Sequence, residues 1–208
     1  MLLLQKTATS PMLLMRTFIF FCTLFVFKFS FAQQADRKYF FKEVGWTLII
    51  PAEFKIADST EDAAVGERGK KAIEETNDIK IDISQTKTLI TVTKNTYNYF
   101  NCTITPFDPK TDGNYEATSQ IVKDMLYKTF SEKMPEGKID SISTQEKIDG
   151  LGFDKFRLTI SLNDKILFNM FLLSKYYRGY DFGISYLYMD DKTKEQIESM
   201  LRNSRFTK

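Results

Sequence analysis

Along this chain the apolar positions change period several times, and each change marks an element. From Lys38 the chain reads KYFFKEVGWTLIIPAEFK, where Trp46, Leu48 and Ile50 alternate with Thr47 and Ile49 until Pro51 stops them, which predicts a strand. The charged stretch STEDAAVGERGKKAIEETND predicts at most a short surface helix over Glu67–Thr76, weakened by Gly66 and Gly69. Asp78–Ser84 alternates strictly and is expected to be extended. Leu89–Lys94 and Asn98–Thr105 predict a hairpin through Asn95-Thr96-Tyr97-Asn98.

A helix follows the turn-rich DPKTDGN. Ile121, Val122, Met125, Leu126, Thr129 and Phe130 recur at helical spacing, with Lys123, Asp124 and Lys128 on the other face. Met134-Pro135-Glu136-Gly137 ends it. Four strands come next, over Ile139–Ile148, Phe156–Leu162, Ile166–Leu173 and Tyr180–Tyr188. Asp149-Gly150, Asn163-Asp164 and Arg178-Gly179 supply turns short enough for antiparallel neighbours. In the last strand Tyr180, Phe182, Ile184, Tyr186 and Tyr188 fall on one face, a core stripe. Gly183 on the other face calls for a close neighbour such as a helix. A closing helix is capped by Asp190 or Asp191 and buries Ile197, Met200 and Leu201.

The run ILFNMFLL is apolar on both faces, which a strand wet on one side would not be. The expected fold is therefore α+β: an α/β/α sandwich around a mostly antiparallel sheet of about six to seven strands. The succession GW-x-L-x-x-P, hairpin, long helix, IDGLGFDKFRLTIS, GYDFGISYLYMDD and MLRNSRF resembles the PsbP-like fold family over roughly residues 38–206. That family includes the photosystem II extrinsic subunit, an import factor that binds the small GTPase Ran, and exported bacterial proteins. The resemblance implies a sandwich and non-catalytic binding; it transfers no partner surface residue by residue.

The N-terminus bears on location. Arg16, the apolar run Thr17–Phe27 and the small-x-small site Ser30-Phe31-Ala32 read as a signal peptide over 1–32, cleaved between Ala32 and Gln33, with translation starting at Met1, Met12 or Met15. The apolar run is short of the roughly 18 residues a spanning helix needs, so no stable membrane span is expected after cleavage. Residues 33–208 are then one periplasmic or secreted domain, expected to be monomeric. The leader holds Lys6, Arg16 and Lys28 and no acid, so the remainder, out of 29 basic and 27 acidic side chains overall, is slightly acidic. That leaves no electrostatic footprint for nucleic acid, and another envelope protein is the expected partner. Cys102 shares a strand face with Phe100 and Ile104 and reads as a buried thiol.

The chain has no histidine, which removes imidazole-based nucleophile pairs, proton shuttles and ordinary zinc sites. Ser84-x-x-Lys87 lacks the helical turn and companion motifs of serine acyltransferases. In Asp108-Pro109-Lys110-Thr111-Asp112-Gly113 a lysine stands where a calcium ligand should be, so this reads as a turn with Thr111 or Asp112 near a helix cap. No catalytic residue, metal ligand or cofactor is expected. The function read here is an exported, non-catalytic accessory or binding protein. The alternative is a carboxylate-dependent hydrolase or small-ligand binder with a cleft between sheet and helix. Trp46 is expected in the core. Candidate binding residues are Tyr97 and Tyr99 at the hairpin turn, and Tyr176, Tyr177 and Arg178 before Gly179. At least one of the adjacent Tyr176 and Tyr177 is free to face solvent.

Overall fold

The computed structural model describes residues 35–207; the expected leader, the expected cleavage between Ala32 and Gln33 and the alternative starts lie outside the described residues. The elements are β1 (Arg37–Phe41), β2 (Trp46–Ile50), β3 (Lys55–Ile56), α1 (Ser59–Asn77), β4 (Lys87–Asn95), β5 (Asn98–Pro106), α2 (Tyr115–Lys133), β6 (Lys138–Ile148), β7 (Leu151–Leu162), β8 (Lys165–Tyr177), β9 (Tyr180–Tyr188), α3 (Asp191–Asn203) and β10 (Arg205–Phe206). A seven-stranded sheet runs in the order β3-β4-β5-β9-β8-β7-β6, and a three-stranded sheet in the order β1-β2-β10. Every pairing is antiparallel.

The turns explain the order. Asp149-Gly150, Asn163-Asp164 and Arg178-Gly179 each place two consecutive residues at positive φ, the conformation whose twist matches that of the strands they join. β6 to β9 therefore form a meander, with β5 added beside β9. Register makes β9 central: Ile184 pairs with Cys102 of β5 on one side and Leu173 of β8 on the other.

On one face Phe182, Ile184 and Tyr186 meet Phe100, Cys102, Ile104, Phe171 and Leu173. The small sheet closes over them with Trp46, Leu48 and Ile50, and α3 adds Ile197, Met200 and Leu201. Trp46 is fully buried, with Phe206 stacked on it and Phe182 edge-on. The layer on this side is thus one helix plus a second sheet. β8 is covered on both faces: Phe171 and Leu173 join this core, while Met170 and Leu172 pack with Phe156, Leu158 and Ile160 beneath Leu126 and Phe130 of α2.

Four expectations change. α1 is a 19-residue helix despite Gly66 and Gly69, because Asp58 and Glu61 form a capping box at its start. Its two ends are tied down, at Asp62 by Thr91 and at Asn77 by Thr129. Residues 79–83 pair with no strand; the edge position beside β4 is taken by β3 instead. α2 is rotated about its axis relative to its apolar stripe, with Ile121 57% exposed and Lys123 buried. The neighbour at Gly183 is Thr103 of β5, whose hydroxyl would lie 3.3 Å from an added Cβ.

Candidate functional site

The rotation of α2 is set by polar side chains on the sheet. Ser119 and Ser174 hydroxyls meet at 3.2 Å, and Lys123 donates to Asp154 at 2.7 Å. The Gln145 amide donates to the other oxygen of Asp154 at 2.6 Å. These partners outweigh the gain from burying Ile121, because a polar sheet face left without donors costs more than one exposed aliphatic side chain.

At the N-terminal end of α2 the same face opens to solvent. The Arg178-Gly179 turn sets the β8–β9 register so that Tyr176 lies directly opposite Asp181. Asn114 caps α2, in place of the expected Thr111 or Asp112, so Tyr115 is its first residue. The Tyr115 hydroxyl donates to Asp181 Oδ1 at 2.7 Å. Phe107, just past β5, is held by its backbone N–H to the Gly179 carbonyl at 3.0 Å. Three rings therefore converge: Phe107 and Tyr115 at 5.2 Å, Phe107 and Tyr176 at 5.7 Å, and Tyr115 and Tyr176 at 5.9 Å between centroids. Tyr176 is 39% exposed and the other two are half-buried. Burial pushes the Asp181 carboxyl above its ordinary range. It also pushes the Tyr115 phenol up, and the adjacent Asp181 charge adds to that.

This arrangement suits recognition better than acid/base chemistry. Asp154 and Asp181 are separated by β8, and Asp154 is committed to Lys123. Both oxygens of Asp154 are occupied, one by Lys123 and one by Gln145, which leaves it no free lone pair positioned as a general base. Among the described residues, no three Cys, Asp or Glu side chains cluster as metal ligands would. Lys87 is paired with Glu43, and Asp108 and Asp112 are used within their own turn, accepting from the Lys110 and Asp108 backbone N–H groups.

The other candidate residues do not gather here. Tyr97 is 55% exposed at the β4–β5 turn, and Tyr99 is half-buried beside it. Tyr99 and Pro106, at the Tyr176 end, lie seven positions apart on β5, about 24 Å along the strand. Tyr177 turns to the opposite face, where its ring meets Phe206 edge-on. Arg178 lies over the Tyr177 ring and donates to the Thr207 carbonyl at 2.8 Å. Phe107, Tyr115 and Asp181 were not singled out by sequence; counting back from the Arg178-Gly179 turn would have placed Asp181 opposite Tyr176. A second feature is an open cleft of about 280 Å³ between β3, β4 and the start of α1, lined by Tyr39, Asp58, Asp62 and Thr88–Thr91.

No family model and no curated protein matches the chain at the sequence level. The solution structure of cyanobacterial PsbP (CyanoP) from Synechocystis sp. PCC 6803 superimposes on 84% of this chain and 94% of its own, with a TM-score of 0.53 and 9% identity. The fold is PsbP-like. A crystal structure from Bacteroides thetaiotaomicron aligns with 84% of this chain and 49% of its own at a TM-score of 0.45 and 8% identity. At such identities the PsbP-like likeness concerns architecture, and function has to be argued from the surface just described.

Proposed function

We propose that the protein is an exported, non-catalytic accessory or binding module of the cell envelope, which holds a partner protein at the Phe107–Tyr115–Tyr176 face. The observation that carries this reading is the convergence of three contacting, partly exposed rings on rigid elements with no catalytic pair beside them. Aromatic side chains of this kind supply most of the energy at protein interfaces, since they bury a large area and lose little rotamer freedom. Export is supported by the leader pattern and is tested by cell fractionation and by N-terminal sequencing, which should begin at Gln33.

The partner test is affinity capture from the cell envelope, comparing wild-type protein with Tyr176→Ala. A reproducible partner lost with the ring supports the reading. No reproducible partner, together with a thermal shift from a small molecule, would sink it. The α1–β4 cleft favours that second reading, a small-ligand binder. However, its volume of about 280 Å³ falls just below the roughly 300–1,000 Å³ of ordinary ligand sites. Both acids in its wall are also engaged, Asp58 as the α1 cap and Asp62 with Thr91.

A further inference from the structure

Asp181 is an unusual residue to place in the middle of a sheet. It sits between Thr105 of β5 and Tyr176 of β8, with Tyr115 reaching it from α2. That phenol occupies one carboxylate oxygen. Among the described residues nothing donates to the second oxygen, and Asp181 is only partly buried. Beside it stand the Tyr176, Tyr115 and Phe107 rings. The segment from Phe107 to Glu116 adds Asp108, Asp112 and Glu116 against Lys110 alone. The cations of the β8–β9 hairpin point elsewhere: Lys175 lies on the opposite face, beside Phe182, and Arg178 is spent on Thr207.

Resting on the binding-module reading above, we infer that this face receives a cationic side chain of the partner, an arginine. A guanidinium is planar, weakly hydrated and always charged. It can lie against the exposed Tyr176 ring while its edge donates to the open oxygen of Asp181. A carboxylate with one donor and one open oxygen, set beside aromatic faces, complements that group in both shape and charge. An acidic or purely apolar segment would leave the Asp181 oxygen desolvated without a donor.

The test is an amide chemical-shift titration of the protein with a capped peptide of alternating glycine and arginine, against the same peptide with glutamate. The arginine peptide is expected to move the Tyr115, Tyr176 and Asp181 resonances, and the glutamate peptide none of them. Asp181→Asn keeps an acceptor for the Tyr115 hydroxyl and should weaken the arginine peptide at least five-fold. Tyr176→Ala should weaken it at least three-fold, and Tyr97→Ala, at the far end of β5, should leave it unchanged. Wild-type affinity in Asp181→Asn, or an equal response to both peptides, overturns the assignment. Partner capture separates the two claims. A partner held at full strength by Asp181→Asn refutes the cation assignment alone, whereas one held by Tyr176→Ala refutes the binding face itself.

Discussion

Replacing Asp154 by alanine isolates the energetics that turn α2 onto the sheet. Lys123 has a side chain only 6% exposed, and its ammonium is matched by Asp154, itself 33% exposed. Removing the carboxylate strands a buried cation and leaves Gln145 without its acceptor. Breaking a fully buried pair costs about 3–5 kcal/mol, and solvent reaching the Asp154 side should reduce this to about 2–3 kcal/mol. For a domain of this size that is a fall in Tm of about 4–12 °C. Lys123→Met removes the charge while keeping the bulk, and leaves Asp154 with Gln145 and partial hydration, so it should stay within about 1 kcal/mol of wild type. The double variant should recover most of the Asp154→Ala loss. Urea unfolding with an unchanged m-value is the measurement. An Asp154→Ala variant within about 0.5 kcal/mol of wild type, or a Lys123→Met variant as costly as Asp154→Ala, would show that the buried ammonium does not depend on this carboxylate.

Three further outcomes follow from the same geometry. Asp58→Ala removes the capping box of α1 and should cost about 1 kcal/mol, with loss of helical circular dichroism before the main unfolding transition. Burial raises the Asp181 carboxyl, so the folded chain holds that proton to higher pH than the unfolded chain does. Stability contributed by this group is therefore greatest at low pH and falls as pH rises from the ordinary value of 3.8 through the raised one. Asp181→Asn should flatten that fall in urea titrations across acid to neutral pH; an unchanged slope would count against it. The Glu53 carboxyl is pulled down to about 2 by the Gln196 amide and by Lys192 and Lys94. Its contribution is present above 4.5 and lost as pH falls toward about 2. Glu53→Gln should therefore remove part of the acid dependence of the melting temperature, and more of it at low salt than at high.

What the sequence made legible was mostly what is local. The Asp149-Gly150 and Asn163-Asp164 turns announced their hairpins because few other residue pairs tolerate two consecutive positive φ angles. The β9 stripe was readable because alternation fixes the faces of a strand whatever lies beyond them. Long-range preferences were not readable in this way. Alternation over Ile79–Ile83 shows which side chains would share a face, but not whether a strand takes them as a partner; the place beside β4 goes to Lys55–Ile56 instead. In α2, spacing pointed Ile121 inward. Only the sheet's Asp154 and Ser174, distant in sequence, explain why Lys123 and Ser119 lie there instead. The candidate site divided the same way. Tyr176 was visible from its position before a turn, whereas Tyr115 and Phe107 join it only through the α2 entry and the Gly179 carbonyl.

Cys102 lies fully buried at the middle of β5, with β4 and β9 hydrogen-bonded on either side, and burial pushes its thiol well up. No fraying of an end or opening of a loop brings a reagent to that sulfur; the centre of the large sheet has to part. Labelling read at Cys102 itself, apart from the second cysteine Cys22, is thus a clock for opening of the large sheet. The same arrangement makes the sulfur a tripwire in oxidising surroundings. A molecule that opens offers a thiolate to its neighbour, and the resulting cross-link makes a transient excursion permanent. In such surroundings the integrity of one buried strand would separate reversible breathing from covalent loss.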